Sequence, residues 1–262
     1  MSTLVIETAD GIRSIAINKP AQRNSLSSET MQELSEALRQ ADLEPEIRVV
    51  LLRGLPTVFS SGTDLQEAAS GGASACVDRA RELIDAADSF SKPLVVAVTG
   101  PAVGLAVTLL LSCDLVYCGK HALFSLPYTA LGETPLFGVT QKLLRECGYH
   151  LAAEKLLLSE PITAEQAQAL HIVNGVFEDD EVLKQATARA VRLTKLPPQA
   201  LARTKSLLKG MLREGASEQS RREAAAFSRQ SVSPEFAEAH KAFLEGRRPD
   251  FSSEPATRLE EP

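Results

Sequence analysis

Two short runs of small residues are the parts of this sequence best suited to chemistry. Phe59-Ser60-Ser61-Gly62-Thr63-Asp64-Leu65 follows the apolar run Val49-Val50-Leu51-Leu52, and Gly100-Pro101-Ala102-Val103-Gly104-Leu105 follows Pro93-Leu94-Val95-Val96-Ala97-Val98. A continuous apolar run of this length is the mark of a strand covered on both faces. A turn of small residues after such a strand leaves backbone N–H groups uncovered, and two turns can aim their donors at one oxygen. Donors placed where negative charge develops on a carbonyl oxygen form an oxyanion hole, the main electrostatic device of acyl chemistry. The plainer alternative is that the glycines only permit tight turns.

The remaining reactive side chains are scattered. Glu133 lies in Gly132-Glu133-Thr134-Pro135-Leu136. A carboxyl in an apolar pocket titrates nearer neutrality and shuttles protons. The alternative for Glu133 is a surface charge ahead of a helix, which Thr134-Pro135 would open. Tyr128 either hydrogen-bonds a ligand or packs in the core with its hydroxyl satisfied. Asp64 is expected to fix its own turn through side-chain-to-backbone bonds. His121, His150, His171 and His240 have no partner at triad or metal spacing, and all four read as surface residues. Cys76, Cys113, Cys118 and Cys147 form no C-x-x-C pair and no metal-ligand spacing; Cys113 and Cys118 read as buried thiols in a reducing compartment. No metal is expected.

Placing the two turns requires a strand–helix scaffold. The 262 residues, 44% of them hydrophobic, suit one domain of about 200 residues with an appendage, or two smaller domains. Leu4–Glu7 and Ile12–Ile17 flank Asp10-Gly11 as an opening hairpin. Ser28 is the expected N-cap of a helix through about Gln40, with Met31, Leu34, Leu38 and Ala41 at helical spacing. Further helices are expected over 75–90, from Gly104 to about Ser112, and over about 136–146, 150–158 and 163–170. Strands are expected at 115–117, 123–126 and 173–177. The alternation predicts an α/β fold with mainly parallel pairing. After about residue 180 only charged helical segments follow, broken at Pro197-Pro198 and Pro234. A division into a core over 1–195 and a helical region over 196–262 follows, the latter packing on the core or on another subunit.

A net charge of -6 argues against nucleic acid as a partner. The apolar run Leu105–Leu111 is far too short to span a membrane. The first residues carry no basic-then-apolar pattern, and Leu259-Glu260-Glu261-Pro262 resembles no sorting address, so a cytoplasmic location is expected.

The chain resembles the crotonase superfamily, the enoyl-CoA hydratase/isomerase proteins, over nearly its whole length. The landmarks are Arg23-Asn24-Ser25-Leu26, the two turns, Cys113-Asp114-Leu115, Phe124-Ser125-Leu126-Pro127, Leu131-Gly132, Ile162–Ala167 and Ala242–Pro249, in order and at the family's spacing. The wording Gly100-Pro101-Ala102-Val103-Gly104 looks most like the peroxisomal-type Δ3,Δ2-enoyl-CoA isomerase branch. The resemblance implies a spiral of ββα repeats, a helical C-terminal region that builds homotrimers or hexamers, and a coenzyme A thioester as substrate, with no further cofactor. It implies that the amides of Thr63 and Leu105 hold the thioester oxygen, and that Thr108, Leu136 and Phe137 line the acyl pocket. Arg23, Ser61, Gly62, Asp64 and Leu65, with Phe243 and Arg247, would meet coenzyme A.

The resemblance departs at the acid/base positions. The two glutamates of the hydratases fall on Thr108 and Tyr128, and the glutamate of the isomerases falls on Leu136. This leaves Glu133 as the first candidate proton carrier, with Tyr128 beside it. Double-bond isomerisation needs one base and tolerates this loss better than hydration. A non-catalytic acyl-CoA-binding protein, or a decarboxylase or thioesterase on the same scaffold, are the alternatives.

Overall fold

The computed structural model describes residues 2–69, 73–213 and 215–252; Leu259–Pro262, read above for sorting signals, lies outside the described residues. In chain order the elements are β1 (Leu4–Ala9), β2 (Ile12–Ile17), α1 (Ser28–Leu43), β3 (Val49–Arg53), the single turn α2 (Leu65–Glu67), α3 (Ala73–Ser89), β4 (Leu94–Val98), β5 (Pro101–Val103), α4 (Leu105–Leu110), β6 (Leu115–Gly119) and β7 (Leu123–Ser125). Then come α5 (Val139–Cys147), α6 (Tyr149–Leu158), β8 (Ile162–Thr163), α7 (Ala164–Ala169), β9 (Gly175–Phe177), α8 (Val182–Thr194), α9 (Pro198–Arg213), α10 (Ala216–Gln230) and α11 (Pro234–Glu245).

β1 and β2 pair antiparallel through Asp10-Gly11, both left-handed at φ 51° and 76°, as a tight hairpin turn requires. From β2 onwards pairing is parallel, in the order β1-β2-β3-β4-β6-β9. The expected double covering of β3 and β4 is observed. Val49, Leu51, Val95 and Ala97 pack with Val182, Ala186 and Ala190 of α8, while Val50, Leu52, Val96 and Val98 are equally buried on the other face. Small residues at Ala186 and Ala190, one helical turn apart, let α8 lie close to the sheet.

Several boundaries differ from expectation for identifiable reasons. Ser27, not Ser28, caps α1: its backbone is extended and its Oγ accepts from the Thr30 amide, whereas Ser28 is already helical. The helix expected from 136 starts at Val139, because Phe137 and Gly138 both have positive φ, 64° and 77°, which a right-handed helix excludes. Residues 101–103, read as part of a turn, form β5, and Ile162-Thr163 forms β8; with β7 they make a second sheet ordered β5-β7-β8. Three-residue and two-residue strands carry too few side chains to show a period.

The chain forms two compact units, each made of separated segments. One comprises Met1–Ser125 and Pro161–Leu212, the other Leu126–Glu160 and Arg213–Pro262. Both sheets lie in the first unit. The tail after residue 180 is helical as expected. Within the first unit α9 is fastened by charge rather than by apolar burial alone. Lys205, 8% exposed, donates to the Asp114 carboxylate and to the Lys92 carbonyl, each at 2.7 Å, with its ammonium 5.2 Å from the Phe90 ring centre. Burial pushes the Lys205 ammonium below its ordinary value, against the pull of Asp114. Asp114 also accepts from the Leu94 amide at 2.7 Å, where β4 begins. Lys205→Met keeps the apolar stem but strands Asp114. It should cost about 3 kcal/mol in a urea titration, whereas an unchanged midpoint would make the pair energetically idle.

Candidate active site

The two turns named first lie side by side in the first unit. Residues 59–60 bond to β5, with the Phe59 and Ser60 amides donating to the Pro101 carbonyl at 3.0 and 3.1 Å and Val103 donating to the Ser60 carbonyl at 3.1 Å. On the other side, Leu26 donates to the Gly62 carbonyl at 2.8 Å and accepts from Asp64 at 3.2 Å. The stretch 60–63 is thus sandwiched between 24–26 and 101–103. The contact is close enough to exclude a side chain: a Cβ on Gly62 (φ +83°) would stand 2.5 Å from the Val103 oxygen and 3.8 Å from the Gly104 nitrogen.

This geometry orients the Thr63 amide. The Gly62 carbonyl and the Thr63 N–H belong to one planar peptide unit and point in opposite directions. Because the carbonyl is taken by Leu26, the N–H faces away from 24–26, towards the side on which β5 runs. Leu105 is the first residue of α4, where helix amides have no partner within the helix. Among the described residues no acceptor takes either amide. Beside Leu105, a Cβ on Gly104 would meet nothing within 4 Å, so the space there is open.

Asn24 sets the approach of these segments. Its Nδ2 donates to the Ile17 and Phe59 carbonyls at 3.0 Å each, and its Oδ1 accepts from the Lys19 amide at 2.8 Å. Arg23 and Asn24 are both left-handed, at φ 52° and 56°, a conformation that the Asn24 bonds hold in place. Ser60 Oγ donates to the Asn24 carbonyl at 2.7 Å and accepts from the Gly62 amide at 3.1 Å. Asp64 fixes the end of the turn: Oδ2 accepts from Ser25 Oγ at 2.9 Å and Oδ1 caps α2 at the Glu67 amide. Of the residues expected to meet coenzyme A, Ser61 is half-buried, Gly62 is buried, Leu65 opens α2 half-buried, and Arg23 is exposed. Thr108 is fully buried, its Oγ1 3.4 Å from the Gly104 carbonyl of its own helix.

The other expected residues lie in the second unit. Tyr128 and Leu136 are buried and Phe137 is half-buried. Phe243 is 56% exposed. Arg247 makes a bidentate pair with Glu238 at 2.5 and 2.9 Å and meets Glu245 at 2.6 Å; with these bonds it holds the Glu238 carboxyl down to about 2. Glu133 is not a loose surface charge. Its Oε1 stands 2.9 Å from Nε2 of His240 on α11. The reading of His240 as a bland surface residue is therefore corrected. His121 also has a partner, Asp179 at 2.7 Å, on the exposed surface. Neither pair is visible in spacing, because the partners are 107 and 58 residues apart.

The segment carrying Glu133 is held at both ends. Gly132 (φ +65°) lies against the start of α11, where a Cβ would come within 2.8 Å of the Glu235 oxygen. At the far end, buried Glu223 of α10 accepts from the Gly138 amide at 2.5 Å, the Thr140 amide at 3.0 Å and the Thr140 hydroxyl, capping α5 from outside its own sequence. Among the described residues no group of His, Cys, Asp and Glu could hold a metal ion. Cys113 and Cys118 are free, and burial pushes both thiols up to about 12, far from the reactive range.

Known proteins resemble this chain in sequence and fold. The family model for enoyl-CoA hydratase/isomerase matches residues 7–254. The chain is 33% identical to 2,3-dehydroadipyl-CoA hydratase of Escherichia coli over 252 residues, 96% of this chain and 99% of the relative. It is 32% identical over 219 residues to human enoyl-CoA delta isomerase 2, covering 81% of this chain and 55% of that protein. The solved enoyl-CoA hydratase/isomerase of Pseudoalteromonas atlantica superposes with a TM-score of 0.89 at 32% identity, over 95% of this chain and all of that one. The chain belongs to the enoyl-CoA hydratase/isomerase family of the crotonase superfamily and is an acyl-CoA-processing enzyme of that family.

Proposed function

We propose that this enzyme stabilises the enolate of an acyl-CoA thioester between the amides of Thr63 and Leu105 and uses Glu133 to move a double bond along the acyl chain. The observation that carries the reading is the pair of acceptor-free amides on two turns in contact. When a proton leaves the carbon beside a thioester, negative charge moves onto the thioester oxygen. Two fixed N–H donors are then worth more than in the ground state, and losing one typically costs about 3 kcal/mol. Leu105 fits this role despite its bulk, because the donor is main chain. The acyl chain is assigned to Thr108, Leu136 and Phe137, and coenzyme A to Arg23, Ser61, Leu65, Phe243 and Arg247.

Isomerisation is the first reading because a single carboxylate that takes and returns a proton suffices. Hydration is the second, favoured by the likeness to 2,3-dehydroadipyl-CoA hydratase over 99% of its length. A homotrimer is also proposed. On α9 Leu207, Leu208 and Met211 are 75%, 65% and 74% exposed, more apolar surface than a helix facing only water needs.

Purified protein should convert 3-enoyl-CoA to 2-enoyl-CoA faster than it hydrates 2-enoyl-CoA; the reverse order would favour the second reading. Glu133→Gln should lower the isomerisation kcat by about 10²- to 10⁴-fold, and turnover equal to wild type would remove Glu133 from the role. Gly62→Ala must push the Val103 carbonyl aside and separate the two amides. It should lower kcat by about 10²-fold or more, while the retained α/β circular dichroism spectrum would show that the fold survives. Light scattering should give a species of three chains, and a monomer would refute the trimer.

A further inference from the structure

The two oxygens of Glu133 are in different circumstances. Oε1 faces His240 Nε2 at 2.9 Å, and among the described residues Oε2 has no hydrogen-bond partner. Both side chains are largely withdrawn from solvent, Glu133 at 16% and His240 at 14% exposed. The imidazole is itself held. It stacks on Phe236 with centres 4.0 Å apart and 23° between planes, and Phe236 meets Phe227 of α10 edge-on at 6.2 Å. Ser233 caps α11 by accepting from the Phe236 amide at 3.1 Å, which fixes the first turn of the helix, one turn before His240. Gly132 seats the neighbouring residue of the loop against the same turn. Arg247, just beyond α11, is tied to Glu238 and Glu245.

A carboxylate that acts as the proposed base must be ionised and only accepts, so in that role the hydrogen of this contact has to sit on Nε2 and be donated to Oε1. A proton arriving on Oε2 leaves that bond intact. The carboxyl therefore keeps one orientation in both of its protonation states, which is what a base that must return the same proton requires. A freely rotating carboxylate would present either oxygen at variable angles.

We propose that His240 is a positioning residue for proton transfer by Glu133, holding Oε1 so that Oε2 alone takes the proton from C2 of a 3-enoyl thioester and returns it to C4. This rests on the role proposed above for Glu133. In the first half, the C2–H electron pair passes into the enolate as the proton goes to Oε2. In the second, the O–H pair returns to Oε2 as the C4–H bond forms, and the double bond moves from C3–C4 to C2–C3. Nothing is oxidised or reduced.

The test is a double-mutant cycle with Glu133→Gln, His240→Leu and the double variant, with His240→Gln, which keeps an N–H donor, as the conservative control. Two readouts are used: steady-state isomerisation of 3-enoyl-CoA, and exchange of the C2 protons with deuterated water followed by NMR. His240→Leu should lower kcat about 10- to 100-fold with KM changed little. His240→Gln should recover most of that loss, and in the Glu133→Gln background His240→Leu should have no further effect on exchange. An equal loss in both backgrounds, no loss at all, or His240→Gln as poor as His240→Leu would each overturn the positioning role while leaving Glu133 as the base. Wild-type rates in Glu133→Gln, or wild-type protein inert in both assays, would overturn the reading of Glu133 and this inference with it. Should His240→Leu fail to fold, the imidazole ¹⁵N spectrum of the wild type decides. A protonated Nε2 that shifts in Glu133→Gln supports the contact, and a bare Nε2 overturns it.

Discussion

The carbonyl oxygen of Val103 occupies the space where residue 62 would carry a side chain, 2.5 Å from an ideal Cβ. The geometry of the two turns follows from that one approach. Because Gly62 admits β5, residues 59–60 can bond to it, and β5 in turn pairs with β7. The same peptide unit hands its carbonyl to Leu26 and so turns the Thr63 amide the other way. Immediately after Val103 the chain leaves the ladder for α4, so the first amide of that helix is released from pairing beside the turn. A side chain at 62 would not simply crowd a pocket; it would part the strands that aim the donors. The left-handed residues Arg23 and Asn24 are the cost of bringing 24–26 alongside, and the three Asn24 side-chain bonds offset it.

The carboxylates near these elements differ in what their oxygens do. Asp64 uses one on Ser25 and the other on the Glu67 amide, Glu223 uses both on the start of α5, and Asp114 joins β4 to α9 through Oδ2 alone. Each replaces hydration with fixed donors. Glu133 has one oxygen committed and the other without a partner among the described residues. A structural carboxylate loses nothing by full satisfaction, whereas a group that must accept a proton needs an open lone pair.

Local chemistry in the sequence reported the first unit well and the second poorly. The strands β3 and β4, the hairpin at Asp10-Gly11 and the apolar stripe of α1 each announce themselves within about ten residues, since their period or turn residues are contiguous. The turn at 59–65 was legible for the same reason, and so was the part Asp64 plays in fixing it. The late start of α5 was not legible, because Phe137 has a positive φ that its side chain gives no hint of. Nor was Glu223, whose partners at 138 and 140 are 85 and 83 residues away. The same holds for His240, which on α11 looks like any partly exposed helix residue until Gly132 places the loop beside it. Pairings of that kind depend on tertiary packing alone, and no spacing rule reaches them.

The surroundings of Glu133 differ from those of positions 108, 128 and 136. Thr108, Tyr128 and Leu136 are 0%, 7% and 6% exposed. A glutamate at any of them would lose its hydration and would need donors or a cation of its own to act there as a base. Leu136 precedes two residues of left-handed backbone, and the donors just beyond, the amides of Gly138 and Thr140, are already given to Glu223. At 133 the situation is reversed. The side chain is withdrawn from water, yet His240 of α11 meets one oxygen and, among the described residues, no donor meets the other. A carboxylate there is partly solvated by the fold without being saturated. In the base role proposed for Glu133, the fold would supply part of the carboxylate's solvation through His240 and leave the rest open.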